Sequence, residues 1–140
     1  MSEMRRKTPH AETVACKPGG TSFRDDVPLG WQASFDQLCE TMYRISPDAR
    51  IQTLVEYLGG LLIIPSLKSV TDNLHDAIKA ASISAWRGSR RICCRCGEKA
   101  ELVTRGGWRM PFCTDCASMR FLDRFSPIDN GKHPPIPPDL

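Results

Sequence analysis

Long apolar runs are missing from this chain. The longest wholly apolar stretch, Leu61 to Pro65, is too short to span a bilayer, so no membrane association is expected. The amino terminus, Met1-Ser2-Glu3-Met4-Arg5-Arg6-Lys7, is not followed by the apolar core that an export signal needs. A cytoplasmic location is the expectation, and there the seven cysteines stay reduced, which favours metal binding over disulfides. Internal repeats are absent, and so is any constellation of acid, base and nucleophile, so the chain is not expected to be an enzyme. His10-Ala11-Glu12 with the later Pro111-Phe112-Cys113 approaches the H-x-E and P-C-x-x-C signature of zinc deaminases. It departs from that signature by an inserted residue and leaves the first cysteine pair without a role.

What the sequence does carry is Cys93-Cys94-Arg95-Cys96-Gly97 and, after sixteen intervening residues, Cys113-Thr114-Asp115-Cys116. Two residues between cysteines let one tight turn present both sulfurs to a single ion, and four thiolates at about 2.3 Å complete a tetrahedral zinc site. Cys93, Cys96, Cys113 and Cys116 are the expected ligands of one structural Zn²⁺. Cys94 stands outside the set, because C-x-C does not form the usual knuckle. Ala100 to Thr104 and Trp108 to Phe112 read as two short strands around Gly106-Gly107, and Ala117 to Phe125 reads as a helix with the second cysteine pair in its first turn.

The net charge of +3 is low but unevenly placed. Between Arg87 and Arg124 lie nine Lys or Arg and four acids, so this segment carries +5 and the rest of the chain −2. Arg90, Arg91, Arg95, Arg105, Arg109, Arg120 and Arg124, with Trp108 on the hairpin, are the candidate contacts to nucleic acid or to a protein partner.

Upstream, residues 1–30 hold scattered charge and several Pro and Gly without a sustained period, the pattern of a flexible arm. Ser34 and Gln37 form a capping box, and Phe35, Leu38, Cys39 and Met42 follow at helical spacing to about Arg44. Ser46-Pro47 predicts a second helix start, with Ile51, Leu54, Val55 and Leu58 on one face and Gly59-Gly60 as its stop. Leu61 to Pro65 reads as a buried connector or short strand. Ser66 then caps the longest expected helix, running to about Trp86 with Leu67, Val70, Leu74, Ala77, Ile78, Ala81 and Ala85 on one face. His75 reads as a partly exposed helix residue rather than a ligand. The tail, 126–140, is Pro-rich and extended.

The expectation is therefore a mainly α chain: a flexible arm over 1–30, a helical domain over 31–89, a treble-clef-like four-cysteine zinc finger of β-hairpin plus helix over 90–125, and the tail. A homodimer through the helical domain is expected if part of the long stripe is left unburied.

From Arg90 to Arg124, the order C-x2-C-G, Gly-containing hairpin and F-C-x2-C leading into a helix resembles the fingers of GATA-type DNA-binding proteins. It is also similar to the carboxy-terminal finger of the DksA/TraR family, which acts on bacterial RNA polymerase, and to the finger of the flagellar activator subunit FlhC. The resemblance implies a nucleic-acid-binding transcriptional regulator of bacterial or mobile-element type, with DNA as partner. The alternative it implies is an adaptor or inhibitor that uses the finger to contact a protein complex of the transcription machinery, with Trp108, Met110 and Phe112 as anchors.

Overall fold

The computed structural model describes residues 4–6, 14–16, 22–105, 108–119 and 126–127. Its elements are β1 (Met4–Arg6), β2 (Val14–Ala15), α1 (Gln32–Ile45), β3 (Arg50–Tyr57), β4 (Gly60–Ser66), α2 (His75–Ser89), β5 (Glu101–Arg105), β6 (Trp108–Phe112), α3 (Thr114–Met119) and β7 (Ser126–Pro127). Single 3-10 turns cover Ser22–Asp26, Leu29–Trp31 and Asp72–Leu74. The fold is mixed, and the expected mainly α architecture is corrected at its centre.

The correction lies over residues 47–58, where a helix was expected and an antiparallel hairpin stands. β3 and β4 pair along their length, and the register slips between Ile51 and Thr53, a bulge with Gln52 as the extra residue. That extra residue puts Ile51 and Leu54 on the same face, so a bulged strand reproduces the i, i+3 spacing of a helix. The next residue, Val55, is buried on the opposite face, because this hairpin is covered on both sides. Gly59-Gly60 does interrupt the chain, but as part of a reversal. Leu58 and Gly59 both take positive φ, at 49° and 82°, and Tyr57 pairs with Gly60 across a two-residue turn. Leu61 to Pro65 is a strand, one of its two expected forms.

β1 and β2 lie on the other edge of β3, Met4 opposite Tyr57 and Val14 opposite Ile51. One face of the hairpin, with Ile51, Leu54, Leu61 and Ile63, packs on Phe35, Leu38, Cys39 and Met42 of α1. The other face, with Val55, Leu62 and Ile64, closes over Trp86 of α2. Each fully buried aliphatic side chain contributes about 1.5–3 kcal/mol relative to exposure, so these two layers are the main apolar store of the fold.

α1 forms as its apolar spacing requires, but it begins at Gln32, so Ser34 lies inside the first turn instead of capping it. α2 begins at His75, nine residues after Ser66. Ser66 is engaged as the last residue of β4, opposite Arg50, and is not available as a cap. The stripe survives this change: Val70 and Ile78 are buried in the main core, and Leu67, Leu74, Ala81 and Ala85 pack against it, while Ala77 is exposed. His75 is partly buried, with Nε2 2.8 Å from the Val70 carbonyl, so it is a local tether at the helix start.

Residues 22–30, expected in an unpacked arm, also join the core. Phe23 and Val27 are buried beside Trp31, where three apolar residues suffice because a larger core is already there to receive them. Of the expected tail, Ser126 and Pro127 pair with β5; the remainder lies outside the described residues. Among the described residues, no helix is long and apolar enough to cross a membrane.

Candidate metal centre

The finger segment folds in the expected order of knuckle, hairpin and helix. In the knuckle, the Gly97 N–H donates to the Cys93 carbonyl at 2.9 Å and the Cys93 N–H donates to the Glu98 carbonyl at 2.7 Å. This turn needs φ of +85° at Gly97, a conformation that glycine takes without a Cβ penalty. Ile92 and Lys99 bridge beneath the knuckle, and β5 then pairs with β6 from Glu101–Phe112 to Arg105–Trp108. The second pair of cysteines is set by α3. The Ala117 N–H donates to the Cys113 carbonyl at 2.9 Å, and the Cys116 N–H points at the Cys113 sulfur at 3.4 Å. Residues 120–125, the rest of the expected helix, lie outside the described residues.

These elements bring together Cys93, Cys96, Cys113 and Cys116, with all four sulfurs within 4.8 Å of one another. Sulfurs at about 2.3 Å from a tetrahedral ion are about 3.8 Å apart. The Cys96 and Cys113 sulfurs, 3.6 Å apart, already meet that spacing. The donor set fits a thiophilic ion, and four thiolates leave no open position for water or substrate.

The electrostatics of the bare thiols point the same way. Burial raises the Cys93 thiol, but the backbone amides of Cys113, Cys96 and Arg95 outweigh it and bring its pKa down to about 7. Hydrogen bonding with Cys113, then burial, pushes Cys116 up to about 12. One sulfur sheds its proton more easily than the other, and four thiolates this close together would need a cation between them.

Cys94 is outside the cluster, as expected. It is buried in the main core, with its N–H donating to the Pro111 carbonyl at 3.0 Å and its carbonyl accepting from the Gly30 N–H at 2.9 Å. Cys94→Ser is therefore expected to keep its full metal content while losing about 1–2 kcal/mol of stability, since it places a hydroxyl among apolar side chains. Metal analysis beside a denaturant titration checks both halves.

The candidate contact residues divide. Arg90 is removed from the contact surface: it is buried, its Nε donates to the Leu58 carbonyl at 3.0 Å, and its guanidinium lies 5.8 Å from the centre of the Trp86 ring. Burial, then the charges of Arg109 and Arg91, holds its pKa below the usual arginine range. Arg91 and Arg95 are exposed and Arg109 is half-buried. Arg120 and Arg124 lie outside the described residues, and so do the side chains of Arg105 and Trp108. Met110 is buried in the main core and Phe112 packs between that core and the cysteine cluster, so both apolar anchors are used internally.

Two supports of the site carried no readable signal in the sequence. Gly30 lies against the knuckle backbone, and the Trp31 indole N–H is shared between the Ser89 and Ile92 carbonyls, each at 3.0 Å. Both depend on chain segments about sixty residues away.

The chain matches no protein-family model, no curated protein and no solved structure.

Proposed function

We propose that the cysteine cluster binds one structural Zn²⁺ and that the finger it stabilises is the nucleic-acid-binding surface of a transcriptional regulator. The observation that carries the second half is the convergence of like charge where the finger meets α2. Arg91 and Arg109 lie close enough to Arg90 to depress its pKa, and Arg90 is itself pinned in place by the Leu58 carbonyl. Arg87, Arg95 and Lys99, all exposed, continue the basic charge from the end of α2 around the knuckle. A cluster of guanidiniums suits a polyanion, because planar donors match phosphate oxygens and binding releases condensed counterions. The protein-adaptor reading has less support, since Met110 and Phe112 are taken up in packing.

The test is fluorescence anisotropy of the zinc-loaded chain on random-sequence duplex DNA at rising salt. Log affinity against log salt is expected to be linear, with each phosphate contact adding about −0.9 to the slope. The double variant Arg91→Ala/Arg109→Ala should flatten that slope by roughly 2. Absence of binding at about 50 mM salt sinks the nucleic-acid reading. A protein retained on the chain after nuclease treatment would then favour the adaptor.

A further inference from the structure

Besides Cys94, two cysteines remain outside the metal cluster. Cys16 follows β2 and Cys39 lies in α1, separated in sequence by residues 17–38. Both are buried, at 0% and 4% exposure, in the same apolar cluster. Their thiols are hydrogen-bonded to each other. Packing alone would be served by any small apolar side chain; a sulfur pair in mutual contact has in addition the proximity that thiol–disulfide exchange needs.

We propose that Cys16 and Cys39 form a dithiol that closes to an intramolecular disulfide in the presence of a low-molecular-weight disulfide, fastening the β2 segment to α1.

The two sulfurs divide the chemistry. The hydrogen bond from Cys39 lowers the Cys16 pKa and outweighs the opposing effect of burial, with the Arg50 charge adding to the lowering. The same hydrogen bond, then burial and the charges of Cys16 and Asp36, raise that of Cys39. Cys16 is thus the attacking thiolate and Cys39 the resolving thiol. In the first step the Cys16 thiolate bonds to one sulfur of the small disulfide, whose S–S bond breaks and releases one thiolate. That thiolate takes the Cys39 proton. The Cys39 sulfur then bonds to the Cys16 sulfur, and the second small thiolate leaves and is protonated from solvent. Two protein thiols are oxidised and one disulfide is reduced to two thiols.

Access comes through local opening. Among the described residues, β2 is held to β3 by two residue pairs, and the Cys16 N–H reaches the Ala49 carbonyl at a long 3.4 Å. So short an anchor opens far more readily than the core beneath it.

The experiment uses the full zinc-loaded chain, incubated overnight with oxidised glutathione, acid-quenched, denatured, alkylated and mapped by peptide mass spectrometry. The expected product is a Cys16–Cys39 cross-linked peptide two hydrogens lighter than its parts, with Cys93, Cys96, Cys113 and Cys116 recovered as alkylated thiols. The oxidised chain should melt roughly 5–10 °C higher, and dithiothreitol should reverse the shift. In Cys39→Ser the cross-link should vanish and glutathione should remain on Cys16. Recovery of both Cys16 and Cys39 as alkylated thiols in the wild-type chain overturns the proposal, and so does cross-linking of either to a finger cysteine.

Discussion

Cys93→Ser is expected to lose its zinc entirely and to be less stable by at least ~5 kcal/mol, with Cys116→Ser and chelation of the wild-type chain giving the same result. The size follows from how little else holds the finger. Among the described residues, the apolar cluster around the sulfurs contains Cys93, Ala100 and Cys116, with Phe112 and Cys113 packed against it. A core that small cannot offset the ordering entropy of the knuckle, the hairpin and α3, whereas zinc contributes roughly 10–16 kcal/mol to comparable finger peptides. The loss will not stay local. Met110 and Cys94 belong to the main core, and the Cys94 carbonyl is the acceptor for Gly30. Opening the finger therefore removes part of the surface on which Trp31 and the start of α1 rest. Circular dichroism melts with parallel metal analysis should show one zinc per wild-type chain, none in the variants, and a single lowered transition. A Cys93→Ser chain that retains one zinc would remove Cys93 from the ligand set.

The metal centre was the most legible part of the sequence because its spacing is dictated by the ion: two residues between ligands, then a hairpin, then a helix start. Both short strands expected in the finger are present, as β5 and β6 paired from Glu101–Phe112 to Arg105–Trp108. The hairpin over residues 50–66 was not legible, and the reason is specific. A bulge at Gln52 and burial of both faces together erase the alternation that marks a strand, leaving Ile51, Leu54 and Val55 in a helical pattern. The misreading of that hairpin hid the role of Arg90, since its partner, the Leu58 carbonyl, exists only at the hairpin turn. The packing of Phe23 and Val27 was hidden for a related reason: composition reports what a segment can bury alone, not what a neighbouring core can accept from it. Cys39 was readable as a core residue, but its partner Cys16 was not, because nothing in the intervening residues records their contact.

Gly30→Ala is the substitution outside the ligand set expected to do most damage. A Cβ at Gly30 would overlap the Cys93 carbonyl oxygen and fall 2.6 Å from the Cys94 carbonyl carbon and 2.8 Å from the Arg95 nitrogen. All three are backbone atoms of the knuckle, so no side chain can rotate aside to make room. The other partner is equally constrained. The Gly30 N–H is bonded to the Cys94 carbonyl at 2.9 Å, and the next residue, Trp31, is fully buried with its indole N–H held by Ser89 and Ile92. Relief therefore requires separating the knuckle from the start of α1, which breaks the Gly30–Cys94 bond and shifts Cys93 and Cys96 relative to Cys113 and Cys116. The expected loss is about 3 kcal/mol or more, together with faster zinc transfer to a chromophoric chelator. Gly88→Ala is the matched control. It lies within α2 with nothing within 4 Å of an added Cβ, so it should stabilise the chain by about 0.5–1 kcal/mol through helix propensity and leave zinc transfer unchanged. If Gly30→Ala instead melts with the wild type and holds zinc as long, the close approach of Gly30 to the knuckle is not what positions the metal centre on the core.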